Sequence, residues 1–169
     1  MAKLQEAQGD MAGAWQTLQA LATEVPAALP LVAAKLAAVA IATGHHAAAH
    51  TLLTAAQAKR PCIDYVEALA YLAPSDNTEE ASQLYLAHLQ KEPSLLAATN
   101  WLKLSASGQG SATGNAPLPD VVSKAMAAAC KPLRRYRCAA CGFEAAAYFW
   151  QCPGCQSWDS YNPRRVEEL

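Results

Sequence analysis

The first hundred residues alternate between Ala/Leu-rich stretches and short segments that contain proline. Within the stretches, apolar residues recur at the three- and four-residue spacing of an amphipathic helix. A proline in a helix interior removes a hydrogen bond and clashes with the preceding turn, so the prolines between stretches mark helix boundaries. The pattern therefore predicts successive helices up to Leu104, the last of them over residues 94–104.

One pattern of four residues occurs three times in this helical part. Each copy has a turn residue, a small residue five positions later, then a large residue and a proline: Gly9, Ala14, Leu18 and Pro26; Gly44, Ala49, Leu53 and Pro61; Asp76, Ala81, Tyr85 and Pro93. The second copy is displaced from the first by 35 residues, and the third from the second by 32. A regular displacement of this size indicates an array of similar units.

Each copy is typical of a helical hairpin. The turn residue ends the first helix, the alanine lets the two helices approach closely, and the proline ends the second helix. The period resembles that of the tetratricopeptide repeat, which is about 34 residues; a generic Ala-rich bundle is the alternative. Only eight residues precede Gly9. We therefore expect an incomplete first repeat, in the C-terminal part of a longer array or in an N-terminally shortened form.

The composition changes after Leu104. Residues 105–117, SASGQGSATGNAP, are rich in Gly and Ser and predict a flexible linker. Residues 118–131 predict a connecting helix. The predicted domains are residues 1–104 as helical repeats, 105–117 as the linker, 118–131 as the connecting helix, and 134–163 as a small tetracysteine domain.

Two Cys-x-x-Cys pairs, separated by ten residues, lie in the segment YRCAACGFEAAAYFWQCPGCQSWDSYNP. Two such pairs at short separation are typical of a metal site. We predict that Cys138, Cys141, Cys152 and Cys155 form one tetrahedral cage for Zn²⁺ or a mononuclear Fe. Four protein ligands leave no open position for water, which favours a structural ion over hydrolytic catalysis. A pair of redox disulfides is the alternative for the same cysteines.

The size of this segment also favours a metal. A module of about 28 residues cannot bury enough apolar area to fold alone, whereas a structural Zn²⁺ contributes on the order of 10–16 kcal/mol in small peptides. Gly142 follows Cys141 and is expected at positive φ. In the second turn, Pro153 is expected to stiffen the backbone and Gly154 to relax it. A small core is predicted for six aromatic side chains, in preference to a stacking platform for bases: Phe143, Tyr148, Phe149, Trp150, Trp158 and Tyr161.

Charge is unevenly distributed, although the net charge is only -1. Residues 1–130 carry seven Lys/Arg and ten Asp/Glu, a balance of −3, and residues 131–165 carry six and two, a balance of +4. We expect the arginines near the cysteines to balance the negative charge of the thiolates. The small net charge provides no global basic field that would attract nucleic acid or a membrane surface.

The sequence predicts a soluble, cytosolic chain with no membrane span. We recognise no apolar run of about 18 residues or more, and the charged first ten residues do not resemble a signal peptide. Cys62 and Cys130 are predicted to be small buried residues. Surface or packing positions are predicted for the four histidines: His45, His46, His50 and His88. Because no nucleophile constellation, phosphate loop or acid/base pair is recognisable, we predict that the protein is not an enzyme.

The motifs of the last 34 residues are specific enough to indicate a family. They are Tyr136-Arg137-Cys138, Cys141-Gly142-Phe143, Trp150, and Cys152-Pro153 with Cys155 and Trp158. Preceded by helical repeats, they resemble the C-terminal half of the lipopolysaccharide assembly protein B family. The resemblance implies a rubredoxin-like domain in which the four cysteines of the two pairs bind one Fe or Zn ion, with iron favoured.

The same resemblance implies a cellular context. The family consists of bacterial inner-membrane proteins with an N-terminal anchor, which we expect to be absent from this chain, and with repeats on the cytoplasmic face that bind proteins. It restrains lipopolysaccharide synthesis as a non-enzymatic adaptor, helping a membrane-bound AAA+ protease to degrade the deacetylase that commits lipid A synthesis. These two proteins are the implied partners, and nucleic acid is not. On the residues alone, a zinc-ribbon nucleic-acid binder and a rubredoxin-type electron-transfer protein remain alternatives.

Overall fold

A computed structural model of the chain describes residues 1–74, 78–108, 126 and 134–168. The chain divides into two compact units, residues 1–76 and residues 77–169. The described part of the first unit is helical, whereas the second unit combines helices with a small module that contains two short strands. The predicted fold class, a helical array followed by a small tetracysteine module, is confirmed.

The first unit contains α1 to α5. Their bounds are α1 Ala2–Ala7, α2 Met11–Glu24, α3 Leu29–Thr43, α4 His46–Lys59 and α5 Ile63–Leu72. A short 3-10 turn, Pro26–Ala28, precedes α3. Each helix packs against the next one in sequence, and α3 also packs against α5. The helix α3 is therefore the central element of this unit, with α2, α4 and α5 around it.

The two glycines of the repeated pattern lie in hairpin turns, as predicted. Gly44 ends α3 with a φ of 73°, and the N–H of His45 donates to the carbonyl oxygen of Ala40 at 2.8 Å. Gly9 lies between α1 and α2 with a φ of 80°. Both values fall in the left-handed region that glycine adopts without steric cost. The turn residue of the third copy, Asp76, lies outside the described residues.

The small and large residues of the repeated pattern lie in the core. All six are buried: Ala14, Leu18, Ala49, Leu53, Ala81 and Tyr85. A buried alanine leaves room for the backbone of a neighbouring helix to come close, because its side chain is a single methyl group. The burial of these six residues confirms that the pattern marks the packing face of each hairpin.

The expectation that no segment is long and apolar enough to cross a membrane was wrong. The helical segment Pro26–Thr43 has 18 residues and passes a test of length and composition for a span. Its central residues are nevertheless buried inside the first unit, among them Leu36, Ala37 and Val39. The segment is apolar because α3 contacts neighbouring helices on several sides, and a buried core helix passes the same test.

The second unit begins with a helical hairpin of α6, Thr78–Leu89, and α7, Leu95–Gly108, which pack against each other. The predicted linker was expected to start at residue 105, but α7 continues to Gly108. The helix α7 therefore includes the first four residues of the Ser/Gly-rich segment, residues 105–108. The rest of the predicted linker lies outside the described residues, and so does the connecting helix over 118–131, apart from Met126.

Cys62 and the four histidines lie where the sequence predicted them. Cys62 is buried just before α5, and its N–H donates to Oε1 of Gln57 at 2.9 Å. The four histidines lie at surface or packing positions. His45 stacks on the ring of Trp15, and His46 forms a hydrogen bond with the carbonyl oxygen of Leu72. His50 is exposed and His88 is buried. Cys130 lies outside the described residues.

The buried alanines provide a test of the hairpin packing. We expect Ala49→Leu to lower the free energy of unfolding of the first unit by about 1–3 kcal/mol, because added methylenes overpack a close helix contact. The neighbouring Ala48 is exposed, so Ala48→Leu is the matched control and should change the stability by less than about 0.5 kcal/mol. Urea denaturation followed by circular dichroism measures both variants. Equal stabilities of the two would contradict the assigned packing face.

Candidate metal centre

The first Cys-x-x-Cys pair lies in a turn between two short strands. The strands β1, Tyr136–Arg137, and β2, Glu144–Ala145, pair antiparallel. Between them, the N–H of Cys138 donates to the carbonyl oxygen of Phe143, and the N–H of Gly142 donates to the carbonyl oxygen of Cys138, both at 2.9 Å. Gly142 has a φ of 77°, as the sequence predicted. We call this turn, Cys138 to Phe143, the first knuckle.

The second pair lies in a turn with the same backbone hydrogen bonds. The N–H of Cys152 donates to the carbonyl oxygen of Ser157 at 2.9 Å, and the N–H of Gln156 donates to the carbonyl oxygen of Cys152 at 2.8 Å. Gln156 occupies the position of the glycine in the first knuckle and likewise has a positive φ, 62°. This second knuckle, Cys152 to Ser157, therefore repeats the first one.

The role expected for Gly154 needs correction. The sequence suggested that Gly154 relaxes the second turn, but the left-handed residue there is Gln156. Gly154 provides space instead, since a Cβ at this position would lie 3.2 Å from Cδ2 of Phe143. Gly142 and Gln156 each directly follow the second cysteine of a pair, and this shared position could have indicated the left-handed residue of the second turn. Glutamine seldom adopts a positive φ, so the residue type did not indicate it.

The two knuckles bring all four predicted sulfurs together. Sγ of Cys138 lies 3.8 Å from Sγ of Cys155, Sγ of Cys141 lies 3.7 Å from Sγ of Cys152, and all four sulfurs lie within 4.8 Å of one another. With a Zn–S bond of about 2.3 Å, a regular tetrahedron has sulfur–sulfur edges of about 3.8 Å. The sulfurs of a disulfide are only about 2.05 Å apart. The geometry therefore fits a single tetrahedral ion and does not fit a pair of disulfides.

Hydrogen bonds shift the thiols of the two buried cysteines toward the thiolate. The bond with the hydroxyl of Ser160, 3.2 Å from Sγ, lowers the pKa of Cys138 to about 6. Burial raises the pKa of Cys152, but the backbone N–H groups of Cys155 and Gly154 outweigh this effect and lower it overall. Thiolate is the form that binds metal. Ser160 is not recognisable from the sequence as a partner of Cys138, because it lies more than twenty residues away along the chain.

The pKa of Cys141 moves in the opposite direction. The backbone N–H of Phe143 lowers it, but hydrogen bonding with Cys155, burial and the other nearby sulfurs raise it to about 12. Four negative charges at this separation repel one another, so the last thiol keeps its proton unless a cation is present. A cluster of this kind provides both the donor atoms and the negative charge that a divalent or trivalent ion requires.

The aromatic residues form a small core only in part. Tyr136 and Tyr161 are buried, and the ring of Tyr148 packs edge-on against Tyr136 with centroids 5.5 Å apart. The prediction of a mini-core was wrong for the others, which are exposed large side chains: Phe143, Phe149, Trp150 and Trp158. A module of this size has too little interior volume to enclose every ring.

The arginines also differ from the expectation. Arg137 forms an ion pair with Glu144, in which Nε and Nη2 both donate to Oε1 at 3.0 and 2.7 Å, and Arg164 pairs with Glu92 at 2.6 Å. These two guanidinium groups were expected to balance the thiolates, but their ion pairs are with carboxylates. The groups that bond the sulfurs of the two buried cysteines instead include the hydroxyls of Ser160 and Tyr161 and the backbone N–H of Gly154.

Fold and site together define a class of protein: a helical protein with a C-terminal, rubredoxin-like four-cysteine module. Comparison with known families agrees, because residues 136–163 match the family described as rubredoxin metal binding domain. The chain is also 32% identical to lipopolysaccharide assembly protein B of Escherichia coli (strain K12) over 101 residues, which cover 57% of this chain and 25% of that protein.

A second relative extends the same similarity. Lipopolysaccharide assembly protein B of Haemophilus influenzae is 30% identical over 107 residues, which cover 62% of this chain and 27% of that protein. The family resemblance inferred from the cysteine motifs is thus confirmed: over the matched residues the chain is similar to lipopolysaccharide assembly protein B. It spans about a quarter of the length of the curated relatives that it matches.

The equivalence of the two knuckles predicts different effects of two substitutions on stability. Gly142→Ala should lower the stability of the metal-loaded module by about 1–2 kcal/mol, since a Cβ is disfavoured in the left-handed region. Gln156→Gly should leave the stability unchanged or raise it by up to about 1 kcal/mol, because relief of the same strain is partly offset by the entropy of glycine. Thermal unfolding of the metal-loaded variants measures both. A loss of stability with Gln156→Gly as large as that with Gly142→Ala would contradict the equivalence.

Proposed function

We propose that Cys138, Cys141, Cys152 and Cys155 bind one metal ion, and that the ion has a structural role. The observation that supports this proposal is the near-tetrahedral spacing of the four sulfurs on two equivalent knuckles. The set is closed, because four thiolates complete a tetrahedral coordination sphere and leave no position for a substrate. Zn²⁺ and Fe both accept such a donor set, and the family resemblance favours iron.

We further propose that the chain acts as a non-enzymatic adaptor in lipopolysaccharide assembly. Both named relatives are assembly proteins. Each unit contains helical hairpins, the elements with which repeat proteins bind other proteins. In this proposal the hairpins contact partner proteins, while the metal-bound module completes and stabilises that surface.

The finer proposal follows from the family resemblance. The adaptor acts at the cytoplasmic face of the bacterial inner membrane, where the full-length family is held by an N-terminal anchor. There it promotes degradation of the deacetylase that commits lipid A synthesis by a membrane-bound AAA+ protease. The protease and the deacetylase are the partners to test, and regulation of lipopolysaccharide synthesis is the expected cellular result.

Replacing one cysteine of each knuckle tests the coupling of metal and partner binding. We expect the Cys138→Ser/Cys152→Ser double variant to lose the metal ion, because two of four thiolates are removed. It should also lose binding to the deacetylase and to the protease, because the module no longer holds its structure. Elemental analysis together with the absorption spectrum measures the metal and identifies it. Pull-down with each purified partner measures the binding.

Cys62→Ser is the matched control for this experiment. Cys62 is equally buried but lies in the first unit, outside the sulfur cluster. The control should retain both metal and partner binding. Partner binding by a metal-free double variant at the level of the control would contradict the coupled role, and the absence of metal from the unaltered protein would contradict the metal site itself.

The exposed rings favour one second candidate, a nucleic-acid-binding ribbon. Trp150 and Trp158 are 57% and 68% exposed, and exposed aromatic side chains stack on the bases of single strands. The ion pairs of Arg137 and Arg164 with carboxylates oppose this candidate. For the adaptor we expect no retention of the metal-loaded chain on single-stranded DNA at about 50 mM salt. Retention that weakens steeply with rising salt would favour the nucleic-acid binder.

A further inference from the structure

The segment that follows the second knuckle is held to the first knuckle. The N–H of Ala139 donates to the carbonyl oxygen of Ser160 at 2.7 Å, and Cys138 and Tyr161 form an antiparallel bridge. Further on, the N–H of Val166 donates to the carbonyl oxygen of Arg135 at 3.0 Å. We call residues 160–167 the C-terminal strut. Its first part is anchored on the backbone of a cysteine turn.

The second part of the strut is held to the turn between α6 and α7. Nη2 of Arg164 donates to Oε2 of Glu92 at 2.6 Å, and the hydroxyl of Ser94 donates to Oε1 of Glu167 at 2.9 Å. These contacts join residues more than seventy positions apart in the sequence. The strut therefore connects the cysteine cluster to the hairpin by direct contacts at both of its ends.

The hairpin contact involves a helix cap. Ser94 directly precedes α7; its hydroxyl oxygen accepts from the N–H of Ala97, and its carbonyl oxygen accepts from the N–H of Ala98, both at 3.1 Å. Because the hydroxyl of Ser94 donates to Glu167, the lone pairs of the serine oxygen are directed toward the N–H of Ala97, which has no partner within the helix. The carboxylate also lies near the N-terminus of α7, where negative charge is favourable.

The charged contacts are shielded more than ordinary surface ion pairs. The side chain of Arg164 is 13% exposed and that of Glu92 is 28% exposed, while Ser94 is 4% exposed. For comparison, the side chains of Arg137 and Glu144 are 52% and 42% exposed. Exposed pairs contribute little, whereas removing one partner of a shielded charged pair leaves the other poorly solvated. Breaking the Arg164–Glu92 pair is therefore expected to cost more than breaking the exposed Arg137–Glu144 pair.

From these contacts we infer that the C-terminal strut couples metal occupancy of the cysteine cluster to the order of the α6–α7 hairpin. A bound ion holds the first knuckle, the knuckle holds Ser160 and Tyr161, and the strut then places Arg164 and Glu167 on the hairpin turn. Coupling between two sites is reciprocal in binding free energy, so the hairpin contacts also raise the affinity of the cysteine cluster for metal. Most affinity differences between related complexes lie in the dissociation rate, so the hairpin contacts are expected to slow the loss of metal. This inference rests on the proposed metal site and adds a means by which metal loss changes the helical surface.

The first measurement is hydrogen exchange of the full chain with and without metal. We expect metal removal by a chelator to raise the amide exchange rates of residues 78–105 by about tenfold, a typical size for coupling between sites. The amides of α2 to α4, in the first unit, serve as the internal control and should be unchanged. Unchanged exchange in the hairpin after the ion has been removed would overturn the inference, while the metal site itself would stand.

The second measurement is the rate of metal transfer to a chromogenic chelator. Arg164→Ala/Glu167→Gln should release the ion about tenfold faster than the unaltered chain, because the reciprocal coupling lowers the metal affinity and a loss of affinity is expressed mainly in the dissociation rate. Lys35→Ala is the matched control, because it breaks the 2.7 Å ion pair of Lys35 with Glu6 in the first unit and should leave the release rate unchanged. If the double variant does not fold, Glu92→Gln tests the same contact from the hairpin side.

The outcomes separate the two proposals. Faster metal release from the strut variants, with the control unchanged, supports the coupling. Release at the unaltered rate from strut variants that remain folded by circular dichroism overturns the coupling and leaves the metal site in place. A full chain that binds no metal when purified and reconstituted overturns both proposals, since the inference depends on the ion.

Discussion

The convergence of four sulfur atoms is the constraint on which the C-terminal module depends. Two turns with the same backbone hydrogen bonds point their sulfurs to one place, where all four lie within 4.8 Å of one another. Around this point the interior is small, with Tyr136 and Tyr161 as its large buried rings. So few apolar contacts cannot offset the chain entropy of the module, and ligation of an ion is the interaction that can.

The helical part depends on a different constraint, the close approach of neighbouring helices. Ala14, Ala49 and Ala81 are buried at equivalent positions of successive hairpins, and glycines provide left-handed turns before the first two. Because α3 has neighbours on several sides, most of its surface is apolar, and this is why Pro26–Thr43 resembles a membrane span in composition. A hydropathy pattern alone does not distinguish lipid from the side chains of adjacent helices.

The two kinds of structure meet in the second unit through the C-terminal strut. Its contacts with Glu92 and Ser94 make the helical hairpin and the cysteine module parts of one compact unit, although the sequence places them in separate predicted domains. In functional terms, an adaptor surface that includes this hairpin would depend on the state of the metal site. The module would then stabilise a protein-binding surface only when its cysteine cluster holds a metal ion, and it would not act as a redox centre.

The sequence by itself determined which four cysteines come together, the hairpin turns at Gly9 and Gly44, and the buried positions of the repeated pattern. These features depend on local geometry. In any chain of this type, a Cys-x-x-Cys pair indicates a turn that directs two sulfurs to one side, and a glycine after a helix indicates a left-handed turn. A small side chain that recurs at a fixed period indicates a helix-packing face. The confirmed family resemblance followed from the same short-range motifs.

Only the tertiary structure decided which distant groups meet. The sequence could not show that Arg164 pairs with Glu92, that Ser160 contacts the sulfur of Cys138, or that the tryptophans of the module lie outside its core. The number of charged residues in a segment does not show which groups form ion pairs. An aromatic residue in a small module is buried only if the interior has room for its ring. Partner choice and burial depend on contacts between residues far apart in sequence, and these are set by the folded arrangement of the whole unit.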